Sequence, residues 1–143
     1  MKLTIELVPS TTWYNNVRSL VSQTEWDTLR HNCYANAGYR CEICGVSGRL
    51  ECHEIWEFNN DTKTQRLAGL IALCKNCHRV KHPGLAKMKG ESSLVINHLM
   101  KINKITESQA IEYIEKSFEI WRERSKIDWH IDFSILNKET LCS

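Results

Sequence analysis

The chain has 143 residues, 42% of them hydrophobic and 25% charged, with a formal net charge of +2. That length suits one domain, and the composition is that of an ordinary globular protein, not a disordered or collagen-like one. No apolar run approaches the roughly 20 residues that span a bilayer and no secretory leader pattern opens the chain, so a cytosolic protein without a membrane partner is expected.

Leu3, Ile5 and Leu7 alternate with Lys2, Thr4 and Glu6 up to Pro9, the pattern of a half-buried strand. Near the other end Trp129, Ile131 and Phe133 alternate with His130 and Asp132, and the two segments are expected to pair. The capping-box pattern Ser22-x-x-Glu25 opens a helix that carries Trp26, Leu29, Cys33 and Ala37 at helical spacing and stops at Gly38. Residues 50–58, the polar stretch 59–65 and residues 70–73 read as strand, loop, strand. A short helix follows Cys74, and Pro83-Gly84 marks a loop. Two more helices are expected, over 92–101 and from Thr106 to about Ser125, the second opening with the capping box Thr106-x-x-Gln109. Its stripe of Ala110, Ile114, Phe118 and Trp121 reads as core. Trp13, Tyr14, Trp26 and Trp129 are also assigned to the core. Trp56 and Phe58 are divided between core packing and stacking on nucleic-acid bases.

Seven cysteines, an odd number, suit metal binding in a reducing compartment better than a disulfide framework. Cys41-x2-Cys44 and Cys74-x2-Cys77 supply four thiolates at the spacing of one tetrahedral structural Zn²⁺, with Gly45 permitting the tight turn after the first pair. Cys33, Cys52 and Cys142 are left as incidental thiols. On the short helix His78 and His82 stand at i and i+4 on one face, where two imidazoles can share a divalent ion with a third ligand from the first strand, which carries His53. The expected fold is therefore α+β: a ββα-metal unit backed by a four-cysteine zinc knuckle, flanked by helices and short terminal strands. With so small a net charge, any nucleic-acid contact needs a local patch. Lys75, Arg79, Lys81, Lys87 and Lys89 crowd around the second cysteine pair, as such a patch or as a solvated face.

Gly38-Tyr39-Arg40-Cys41-Glu42-Ile43-Cys44-Gly45, the central His53-Glu54-Ile55, and the run from Leu73 through Cys74, Cys77 and His78 to His82 together resemble the zinc-containing branch of the HNH endonuclease family. The resemblance covers roughly residues 29–84 of a single domain spanning 1–143, with 1–28 and 85–143 as flanking elements. It implies a metal-dependent endonuclease that hydrolyses DNA phosphodiester bonds, with Zn²⁺ as scaffold and Mg²⁺, Mn²⁺ or another divalent ion at His53, His78 and His82. It also implies phosphate contacts from Lys75, Arg79 and Lys81.

The family's first strand commonly carries a ligand followed by a general-base histidine. Aligned on Ile55, His53 is the ligand and Glu54 stands at the base position. Aligned on the histidine, His53 is the base and Cys52 lies beside the metal. The family's middle asparagine falls on Gly69, leaving Asn59 or Asn60 as substitutes from the loop. The alternative to an enzyme is a non-catalytic zinc-binding module for nucleic acid or protein on the same fold.

Overall fold

A computed structural model describes residues 1–136, so Cys142 lies outside the described residues. Among them the chain forms six helices and three strands, an α+β arrangement: α1 (Val17–Leu20), α2 (Gln23–Asn36), β1 (Glu51–Asn59), β2 (Thr64–Leu73), α3 (Lys75–Lys81), α4 (Pro83–Met88), α5 (Ser92–Asn103), α6 (Glu107–Arg124) and β3 (His130–Asp132). No helix among the described residues is long and apolar enough to cross a membrane.

The expected helix boundaries rest on local chemistry, and the caps form. Ser22 accepts the Glu25 N–H at the start of α2, and Gly38 leaves that helix at φ +65°. Thr106 and Gln109 complete a reciprocal capping box at α6. Pro83, read as part of a loop, instead opens the short helix α4 at its first turn, where a missing N–H costs nothing.

β1 and β2 form an antiparallel hairpin, and β3 adds to β2 in parallel, pairing Thr64 with His130. The strand order β1-β2-β3 leaves β1 on the edge of the sheet. Ile55 pairs with Gly69 and Trp56 with Leu67, so Ala68 is an extra residue that bulges β2 and tightens the local twist. One face of β1 presents Cys52, Trp56 and Phe58 to a core with Val17, Trp26, Leu29 and Leu67. The second core gathers Cys41, Leu73, Cys74, Cys77 and Val80 with Val95 and Leu99 of α5 and Ala110 of α6.

The N-terminal segment does not form the expected strand and does not pair with β3. Leu3 and Ile5 are buried as the alternation predicts. Their amides, however, are taken by side chains: the Leu3 N–H donates to Asn103 Oδ1 and the Ile5 N–H to Tyr113 Oη, each at 2.8 Å. Once those donors are satisfied by α5 and α6, a sheet ladder has nothing to add.

Trp26 and Trp129 are core residues, but Trp13 and Tyr14 are solvent-exposed. Trp56 and Phe58 are both committed to packing, Trp56 against Phe133 and Phe58 against Trp129 with the Arg124 guanidinium 4.0 Å from its ring centre, so neither is free to stack on bases. The α6 stripe splits: Ala110 and Ile114 join the second core, while Phe118 and Trp121 line a cavity.

Candidate metal centres

Cys41 and Cys44 sit on the turn before β1, and Cys74 and Cys77 open α3, with Cys74 Sγ capping the helix by accepting the Cys77 N–H. The four sulfurs lie within 4.8 Å of one another. Cys44 and Cys74 approach to 3.6 Å, close to the roughly 3.8 Å edge of a tetrahedron with Zn–S bonds of about 2.3 Å. Burial pushes the Cys41 thiol up, but the amides of Cys44, Cys74 and Ile43 aimed at its sulfur outweigh this and bring it to about 7. Such N–H groups favour thiolate, the form a metal needs. His98 on α5, which sequence reasoning passed over, lies with Nε2 3.2 Å from Cys77 Sγ. The donor set, its spacing and its enclosure fit a structural metal such as zinc.

His53 on β1 and His78 and His82 on and just after α3 form a second group, each offering a ring nitrogen within 4.8 Å of the others. The ring centroids stand 4.8 to 5.3 Å apart at steep angles. His78 Nε2 and His82 Nε2 are 3.1 Å apart, within the roughly 3.0–3.4 Å that separates neighbouring ligands on one ion with bonds of about 2.1 Å. Glu51 contacts Nδ1 of His78, which turns Nε2 toward the other two imidazoles. Burial, helped by His82, His78 and Lys81, holds His53 down at about 3. Burial, helped by His78 and opposed by Glu51, holds His82 at about 4. Both rings are thus neutral at physiological pH, with lone pairs available to a cation.

Glu54 is not among the ligating group. Strand alternation sends it to the other face of β1, but β1 is an edge strand, and one concavity of about 560 Å³ wraps that edge to include His53, Glu54, His78 and His82. Its Oε1 accepts the Val17 N–H at 2.7 Å and its Oε2 the Trp56 indole N–H at 3.1 Å. Burial raises its pKa above the ordinary carboxylate range, with those two bonds pulling the other way. Glu54 is an oriented, half-buried carboxylate that lines the same concavity as the imidazoles.

Two positions expected to contact nucleic acid are engaged elsewhere. Lys81 is buried, its Nζ 3.2 Å from both Glu6 and Thr4, and it fastens the N-terminal segment to α3. Arg79 pairs with Glu91 at 3.0 Å and donates to Asn76. Lys75, Lys87 and Lys89 remain exposed. Asn59 does not reach the imidazoles: its Oδ1 accepts the Asp61 and Thr62 amides in the hairpin turn, roughly 20 Å along β1 from His53. Gly69 lies opposite Ile55, beside the bulge, and carries no side-chain donor. Cys33 and Cys52 lie against each other between α2 and β1 and are not part of the four-cysteine cluster. No family model, curated protein or solved structure matches the chain.

Proposed function

We propose that the protein is a metal-dependent endonuclease of the HNH type that hydrolyses DNA phosphodiester bonds, with β1, β2 and α3 as its ββα-metal unit and a four-cysteine zinc site as the scaffold behind it. The observation that carries this reading is the convergence of His53, His78 and His82 on one point beside a four-cysteine cluster. A divalent ion such as Mg²⁺ or Mn²⁺, when bound there, supplies Lewis acidity toward a phosphodiester oxygen and neutralises charge on the leaving oxygen.

The protein's own groups divide the remaining work. His53, His78 and His82 are the ligands, and Glu51 orients His78. Glu54 is the general base: burial raises its proton affinity, and the Val17 and Trp56 donors fix its carboxylate so that a remaining lone pair can take a proton from the attacking water. Lys75 and Lys89 border the concavity on the far side of His78 and His82 and provide phosphate contacts.

One observation favours the non-catalytic alternative. Both Glu54 oxygens already accept bonds from the protein, as a purely structural carboxylate would. Incubating supercoiled plasmid with the zinc-loaded protein in Mg²⁺, Mn²⁺ or Ni²⁺, beside a His78→Ala variant, separates the two. Nicking by the parent and none by the variant supports the enzyme; DNA binding without cleavage in any metal assigns the fold to a binding module.

A further inference from the structure

The segment between Pro9 and Asn16 holds two aromatic rings in solvent, Trp13 at 61% and Tyr14 at 83% exposure. The two rings are neighbours in the chain and lie beside the concavity that holds His53, Glu54, His78 and His82. The segment is tied down on both sides of those rings. The Ser10 N–H donates to Ser125 Oγ at 3.0 Å, Thr11 Oγ1 donates to the Ile127 carbonyl at 2.9 Å, and buried Thr12 donates to Gln65 Oε1 at 2.7 Å. Asn16 then caps α1, accepting the Ser19 N–H at 2.9 Å. These anchors leave a short tip that presents its rings in a fixed place.

Trp13 stands between two concavities, and both reach the imidazoles. One, of about 360 Å³, is walled by Trp13, Met88, Phe118 and Trp121 and ends on His53 and His82. The other carries Tyr14 and Arg18 toward the same histidines. Beyond His78 and His82 a third concavity bears Lys75 and Lys89, with Glu91 paired to Arg79 and Glu51 engaged by His78. The walls differ in kind: cationic side chains suit phosphates, and an aromatic, largely apolar cavity of this size suits a flat uncharged ring. Both surfaces adjoin His82, so a phosphate held at the imidazoles would have lysines in one neighbouring concavity and aromatic rings in the other.

We infer that the apolar cavity beside Trp13 seats a nucleobase, so that the substrate of the site is single-stranded or locally unpaired DNA in preference to intact duplex; the inference rests on the nuclease reading above. A base held in a duplex has to leave its stack to enter such a cavity, and an unpaired one does so at little cost.

The test compares a labelled single strand, its duplex, and the duplex with one mismatch, at one salt concentration. Binding of the zinc-loaded protein is read by anisotropy without added divalent ion, and cleavage is read after adding Mg²⁺, Mn²⁺ or Ni²⁺. The single strand is expected to bind at least about 10-fold more tightly than the duplex. Trp13→Ala should lower single-strand affinity about 5- to 150-fold, the equivalent of ~1–3 kcal/mol per stacked base, and Trp13→Phe should recover most of it. The mismatched duplex should be cut faster than the matched one. Equal affinity for single strand and duplex with no effect of Trp13→Ala overturns the base seat even if plasmid is nicked. The predicted binding pattern without cleavage in any metal keeps the base seat and removes the nuclease reading. A dimer that dissociates on Trp13→Ala, with no response to any oligonucleotide, assigns the face to a second copy of the chain and overturns the inference.

Discussion

Replacing Glu54 by glutamine separates a catalytic carboxylate from a structural one, because the two roles carry different free energies. The carboxylate accepts the Val17 N–H on one oxygen and the Trp56 indole N–H on the other. A glutamine has one carbonyl oxygen, so in either orientation one of those donors faces an NH₂ group. Losing a charge-assisted bond costs about 1.5–3 kcal/mol. Part of this is offset because a neutral amide is easier to bury than a carboxylate whose pKa burial already raises. The net is a loss of about 1 kcal/mol, which a domain stable by about 5–15 kcal/mol survives.

The chemistry is affected far more. An amide accepts no proton at neutral pH, and loss of a general base lowers kcat by about 10²- to 10⁴-fold. The expected result is a folded Glu54→Gln protein with parental metal content and nicking reduced at least about 100-fold. Trp56→Phe gives the companion readout. It removes the indole donor that lowers the Glu54 pKa, so the rising limb of the rate profile should move to higher pH. A Glu54→Gln enzyme that nicks plasmid at the parental rate refutes the assignment and moves the base to His53.

Cys77→Ser should abolish tight binding of one Zn²⁺ per chain and unfold the region around α3, since structural zinc contributes about 10–16 kcal/mol, as much as the whole stability of a small domain; a folded, zinc-free variant by circular dichroism and metal analysis overturns the structural role. In the protein without added divalent ion, the depressed His53 and His82 values, about 3 and about 4, mean that the unfolded chain takes up protons first as pH falls below about 6.5. Stability is therefore unaffected by these groups above that pH and declines on acidification through the window down to about 4 and then 3, by about 1.4 kcal/mol per pH unit per group. His53→Gln should flatten that acid slope in urea denaturation series, and an unchanged slope contradicts the burial argument. Lys75→Ala should reduce the slope of log affinity for DNA against log salt by about 1, whereas Lys81→Met should leave that slope unchanged, because Lys81 is buried against Glu6 and Thr4.

The parts of this protein that were legible in its sequence are those governed by short-range geometry. Two Cys-x2-Cys pairs, histidines four residues apart and the N-caps Ser22 and Thr106 each depend on a few consecutive residues, so their spacing already implies the cysteine cluster, the approach of His78 to His82 and the starts of α2 and α6, although the reciprocal capping box forms only at α6. Burial and partnership are set elsewhere in the chain. Leu3 and Ile5 alternate like a strand, yet Asn103 and Tyr113 take their amides and no ladder forms. Lys81 reads as a phosphate ligand until Glu6 is brought against it, and Trp13 reads as core until its segment is pinned to α6 and the chain after it, with the ring outside. Glu54 falls on the opposite face of β1 from His53, and only the edge position of β1 lets both reach one concavity. Periodicity and spacing report what neighbours along the chain can do; which donor or charge a side chain meets depends on segments up to about a hundred residues away, and that was decided by the packing of α5, α6 and the N-terminal segment around the hairpin.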